Sequence, residues 1–216
     1  MPLKILRVLA LLALPIFLFS YEFFPVHLGD AWYYKGYKKA DKNNWFDIKA
    51  EVKTIEVIDG KEYFYYSAPA ANVRFLIRTD DAGAYLRVLR FPYPILDFLS
   101  IDIDIKPEIK FLRFPFVVGD SWSMTATARA EFFKFEIIKN LTAEFTVLGN
   151  EYISVKGVPL ETYHVRNSIN QGDGNPPMVE EHWHGKGVGY TQSDTPEYFL
   201  TLDHYEPVSN QAAATP

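Results

Sequence analysis

The chain has 216 residues, with 22 Lys or Arg against 27 Asp or Glu for a net charge of −5, and 48% of it is apolar. That length carries one domain with a sizeable core, and the composition excludes intrinsic disorder and electrostatic capture of nucleic acid. There is no cysteine, which rules out disulfides, thiol nucleophiles, Cys-ligated metals and a lipid-modified N-terminal cysteine.

Residues 1–20 read as an export signal. Lys4 and Arg7 precede an uncharged apolar run from Val8 to Phe19, the length of a secretory h-region and short of the ~20 residues that span a bilayer. Leu18-Phe19-Ser20 departs from the small-x-small cleavage pattern. The segment is therefore either a cleaved signal peptide or a signal anchor, and the protein is expected outside the cytoplasm, in the periplasm or cell envelope. Membrane contact is expected only through this segment, if it is retained.

The next element is a motif that occurs twice. Phe24-Pro25-Val26-His27-Leu28-Gly29-Asp30-Ala31-Trp32 recurs as Phe114-Pro115-Phe116-Val117-Val118-Gly119-Asp120-Ser121-Trp122. The same spacing carries Val57-Ile58-Asp59-Gly60 onto Val147-Leu148-Gly149-Asn150, each read as a strand end running into a turn. At a longer spacing, Asp80 to Tyr85 resembles Gly185 to Tyr190. Two pseudo-repeats follow, about 24–112 and 114–205, within a single β domain over 21–207. The small, polar residues of 208–216 are expected to form a disordered tail.

Between these markers the pattern is that of strands. Phe46, Ile48, Ala50 and Val52 alternate with polar residues, then the phase switches to Ile55 and Val57, as one inserted bulge residue would cause. Asp59-Gly60 suits a tight hairpin, and Asp80-Asp81-Ala82-Gly83 suits one with Gly83 left-handed. Val73, Phe75 and Ile77 alternate with Arg74 and Arg78. Ile101, Ile103 and Ile105 alternate with Asp102 and Asp104, a solvated face rather than a catalytic carboxylate pair. The longest run is Phe133, Phe135, Ile137, Leu141, Ala143, Phe145 and Val147. Only Tyr93–Leu99 offers even a short helical stripe. The expected fold is all-β, with duplicated antiparallel sheets of ten to fourteen strands forming a sandwich or a curved, partly closed barrel.

Near the end of the chain stands Glu181-His182-Trp183-His184-Gly185-Lys186-Gly187-Val188-Gly189-Tyr190. Together with the doubled F-P-x-x-x-G-D-x-W it resembles a group of exported bacterial β proteins of unknown function. The resemblance covers roughly 23–205 and implies a duplicated antiparallel β fold and an envelope location. It implies no catalytic residues.

Motifs for chemistry are sparse. There is no G-x-S-x-G, no H-E-x-x-H and no phosphate loop, so no cofactor and no enzymatic activity are expected. His182 and His184 share a strand face with Glu180, which as a minority reading forms a metal site serving a His-dependent hydrolase. Tyr63, Phe64, Tyr65 and Tyr66 put aromatics on both faces of one strand. Tyr63 and Tyr65, with Trp32 and Trp122, are the candidates for stacking on a ligand, although packing at strand starts is the commoner use of such Trp residues. The leading expectation is a non-enzymatic module that binds a lipid or other hydrophobic ligand, or an envelope protein partner. A membrane-held assembly component is the alternative.

Overall fold

The alternation becomes twelve antiparallel strands among the described residues of a computed structural model. They are β1 (Ala31–Lys38), β2 (Asp41–Ile58), β3 (Lys61–Ala68), β4 (Val73–Asp80), β5 (Gly83–Tyr93) and β6 (Leu96–Arg113), then β7 (Ser121–Phe132), β8 (Phe135–Val155), β9 (Val158–Asn170), β10 (Met178–Gly185), β11 (Gly189–Asp194) and β12 (Tyr198–Glu206). The structure describes residues 23–71, 73–93, 96–132 and 135–208. The expected export segment, Phe133 and the residues after Val208 lie outside them. Leu96–Leu99 belongs to β6, so that part of the helical stripe is strand.

Each strand pairs with its chain neighbours, and β1 also pairs with β12, from Ala31 opposite Glu206 to Lys38 opposite Tyr198. The sheet is therefore a closed barrel, which corrects the expected sandwich or partly closed form. A single wall curled on itself buries the strands' inner faces and leaves no open edge. Inside lie Trp32, Ile48, Ala50, Val52, Ile77, Val147 and Val165. Outside run cross-strand ion pairs such as Arg90–Asp102 and Arg166–Glu181, where a membrane-spanning barrel would carry an apolar band. Asp102 and Asp104 lie on this charged outer face, paired with Arg90 and Arg87.

Local details match the sequence at some points and depart at others. A register shift between Val52 and Thr54 supplies the bulge expected there. Asp59 and Gly60, at φ +52° and +75°, make the tight β2–β3 turn. Val147–Asn150, however, lies inside β8 rather than at a strand end. Gly83 has φ +156°, outside the left-handed helical well; its lack of a side chain matters because a Cβ would collide with the Leu112 carbonyl oxygen.

One end of the barrel is plugged. Phe24, Val26, Phe114 and Phe116 are buried in the main core beside the strand starts. The Phe24 ring meets Phe111, His184 and Tyr190, and Phe116 meets Tyr163 and His184. Both copies of the motif are held alike. Gly29 N–H donates to Val52 O at 2.9 Å and Val52 N–H to Asp30 O at 3.0 Å. In the second copy Gly119 N–H donates to Val147 O at 2.8 Å and Val147 N–H to Asp120 O at 2.9 Å. At the opposite end β8 outruns β9, whose pairing starts only at Thr142 opposite Asn170. Phe135 there is 75% exposed.

On the outer face, β6 bulges between Asp104 and Ile109, and residues 105–108 lie against Arg87 of β5. Glu108 from this bulge accepts hydrogen bonds from Tyr63 Oη at 2.6 Å, Arg78 Nε at 2.8 Å and Lys61 Nζ at 2.9 Å. Burial alone would raise its pKa, but the bonds from Arg78, Tyr63 and Lys61 outweigh it and hold the carboxyl at about 2. A folded-state pKa below the unfolded value gives stability that is present above pH ~4.3 and lost as pH falls toward 2. The gap in urea midpoint between the wild type and Glu108→Gln is therefore expected to be full at pH 6 and largely gone near pH 2. Buried His184 weakens both proteins alike on acidification, so it cancels in the difference. A gap that stays constant across that range would show the network to be uncoupled from folding.

Candidate functional site

The unplugged end opens into a cavity of about 540 Å³ within the barrel, in the size range of small-molecule sites. Its wall is largely apolar, with Ile48, Ile77, Leu86, Phe145 and Leu200 among the lining residues, and Phe91 and Met178 lie partly exposed along it. Three tyrosines add polar atoms within it. Tyr34 Oη donates to Tyr190 O at 3.2 Å. Burial pushes the phenols of Tyr34, Tyr66 and Tyr190 well above the usual range, so all three stay neutral donors.

The remaining polar groups are concentrated on three adjacent strands. Glu180, His182 and His184 alternate along β10 and face inward, as their spacing implies. His182 bridges Ser193 Oγ at 3.1 Å and Glu180 at 3.3 Å. His184 lies deepest, among Phe24, Phe116 and Tyr190. Burial, with His182 adding to it, drives its pKa well below the ordinary value, so the ring is neutral. These residues share one face, but no group of three His, Cys, Asp or Glu among the described residues could hold a metal ion.

The aromatic candidates fall elsewhere. Tyr63 is 2% exposed, yet it belongs with Leu76 and Val88 to a small outer-face cluster against which Tyr65 packs. The 105–108 bulge covers Tyr63, and Arg90 lies over the Tyr65 ring at 5.0 Å. The neighbouring Phe64 and Tyr66 face inward instead. Trp32 stacks on Tyr205 at 5.1 Å and donates to Val188 O at 2.6 Å. Trp122 stacks on Phe145 at 5.3 Å and donates to Lys110 O at 2.8 Å. Both indoles spend their polar atom on the backbone of another strand or turn. Tyr34, Asn167 and Tyr190 are lining residues that sequence reasoning missed, and within the aromatic run of β3 it is Tyr66, not Tyr63 or Tyr65, that lines the cavity. Between Tyr63 and Tyr66 β3 has no polar residue to distinguish its faces, and an isolated Tyr or Asn carries no motif.

The described residues thus define a single-walled antiparallel β-barrel, plugged at one end and hollow toward the other. No family model matches the chain, and no curated protein does either. Among solved structures, a candidate lipoprotein from Parabacteroides distasonis ATCC 8503 is 14% identical, with 86% of this chain and 98% of that one covered and a TM-score of 0.48. The hypothetical lipoprotein YmcC from Escherichia coli K12 is 12% identical, with 81% and 86% covered and a TM-score of 0.49. A candidate exported protein with a YmcC-like fold from Bacteroides fragilis NCTC 9343 is 10% identical, with 86% and 99% covered and a TM-score of 0.39. Likeness at this level bears on neither ligand nor chemistry. The present chain has no cysteine to carry a thioether-linked lipid.

Proposed function

We propose that this protein is a non-enzymatic envelope module that holds a hydrophobic ligand inside its barrel. The observation that carries the reading is the cavity of about 540 Å³, walled by aliphatic and aromatic side chains. Protein interiors normally fill such space with their own side chains, so a void of this size is a site rather than a packing fault. The envelope location rests on Lys4, Arg7 and the apolar run to Phe19.

Descent from a duplicated half-barrel, as in the exported β proteins the sequence resembles, is part of the same proposal. The matched bonds at Gly29 and Gly119 support it. So do the β2–β3 and β8–β9 hairpins, whose turns at Asp59-Gly60 and Lys156-Gly157 both take positive φ.

Native mass spectrometry of the full chain, purified without added metal, tests the binding role. A mass excess of roughly a few hundred daltons that vanishes on denaturation is the expected result, the size of a ligand that fills such a pocket. An unliganded mass that persists after incubation with lipid extract would defeat the proposal.

A further inference from the structure

Apart from the buried tyrosines and Arg74 of β4, whose Nε also lacks a hydrogen-bond partner, the polar lining of the cavity is concentrated where β9, β10 and β11 meet, and the groups there are weighted toward acceptors. Asn167 stands directly opposite Glu180 in the β9–β10 register. Both line the cavity. Asn167 is 8% exposed, and its side-chain oxygen has no hydrogen-bond partner. A carboxylate carries acceptors only, so this opposed pair contributes acceptor oxygens to one inner wall. His182 connects Glu180 to Ser193 and fixes the carboxylate from below. An unpaired buried acceptor opposite an anion is a site that lacks its donor.

Resting on the cavity reading above, we propose that the ligand is a single-chain amphiphile with a cationic, hydrogen-bond-donating head, a primary ammonium. The head sits against Asn167 and Glu180, and the chain runs inward past Tyr66, Ile77 and Phe145. Depth agrees with this placement. Glu180 is two residues along β10 from the partly exposed Met178, whereas His184, four residues further in, lies against the aromatic plug. Two further charged residues line the cavity. Glu197 adds to the negative side, and Arg74 stands on β4, across the barrel from β10. Arg74 makes a carboxylate head the competing occupant, and the test sets the two against each other.

Displacement of the neutral fluorophore N-phenyl-1-naphthylamine from the full chain, at neutral pH, compares dodecylamine, dodecanol and dodecanoate below their micellar concentrations. Dodecylamine is expected to displace the probe at about tenfold lower concentration than dodecanoate, with dodecanol between them. Glu180→Gln is expected to bring dodecylamine to the level of dodecanol and leave dodecanol unchanged. Dodecanoate matching or beating dodecylamine on the wild type would overturn the head-group assignment and point to Arg74. An amine preference that survives Glu180→Gln would overturn it as well. Should that variant fail to fold, the order of the three amphiphiles on the wild type still decides. A wild type that binds neither probe nor amphiphile defeats the cavity reading itself, a result distinct from a cavity that binds with the opposite preference.

Discussion

Ala143→Phe is expected to abolish uptake of an apolar probe while leaving the barrel folded. Ala143 is fully buried on β8 and lines the cavity together with Ile109 and Phe145. Ala143 has no accessible surface of its own, so a phenyl ring there must displace its neighbours to reach the cavity, and the usual cost of overpacking, about 1–3 kcal/mol, is expected. The ring occupies the space where a ligand chain would lie, and affinity should fall at least about tenfold. Fluorescence titration with N-phenyl-1-naphthylamine reads the binding, and thermal unfolding reads the fold, with the midpoint falling by several degrees. Undiminished binding by a folded variant would place the apolar site elsewhere, with the exposed β7–β8 tip around Phe135 and Ile137 the next surface to test.

The second large effect concerns stability. Asp30 is 0% exposed, and its carboxylate accepts from Tyr205 Oη at 2.9 Å, the Val208 amide at 3.0 Å and the His27 amide at 2.9 Å. One side chain thereby ties the plug segment, β12 and the residues after β12 together. Asp30→Ala leaves those donors without an acceptor in a buried place and is expected to cost about 3 kcal/mol. Asp120 occupies the same place in the second motif and makes the same backbone bonds, but its side chain is only half-buried. Asp120→Ala is therefore expected to cost under about 1 kcal/mol. Urea unfolding of the two variants checks the contrast, and equal losses would show that the motif acts through its backbone alone.

How far this could be read in advance depended on whether neighbours in sequence are neighbours in space. The bulge after Val52 and the turn at Asp59-Gly60 are local events, so alternation and turn chemistry located them. Closure was not local: it depends on β1 meeting β12, and nothing in Ala31–Lys38 announces its partner. Tyr63 and Tyr65 show a different limit. From Tyr63 to Tyr66 β3 is aromatic on both faces, so alternation there does not mark the outside, and the 105–108 bulge covers the outer face at Tyr63. Along β10 the spacing put Glu180, His182 and His184 on one face, but nothing in it told that this face turns into the bore. In β8 the odd-numbered apolar run is core at Ala143, Phe145 and Val147. It becomes surface at Phe135 and Ile137 because the strand continues past the barrel.

Phe23 packs on Phe116 and Tyr163 at the plugged end, and Val208 reaches Asp30 at that same end. The two limits of the described chain therefore leave the barrel together, and the hollow opens in the opposite direction. This gives the molecule a polarity independent of what it carries. Among the described residues the opening therefore faces away from both limits of the chain, and a ligand held as proposed would pass through that end rather than past the plug.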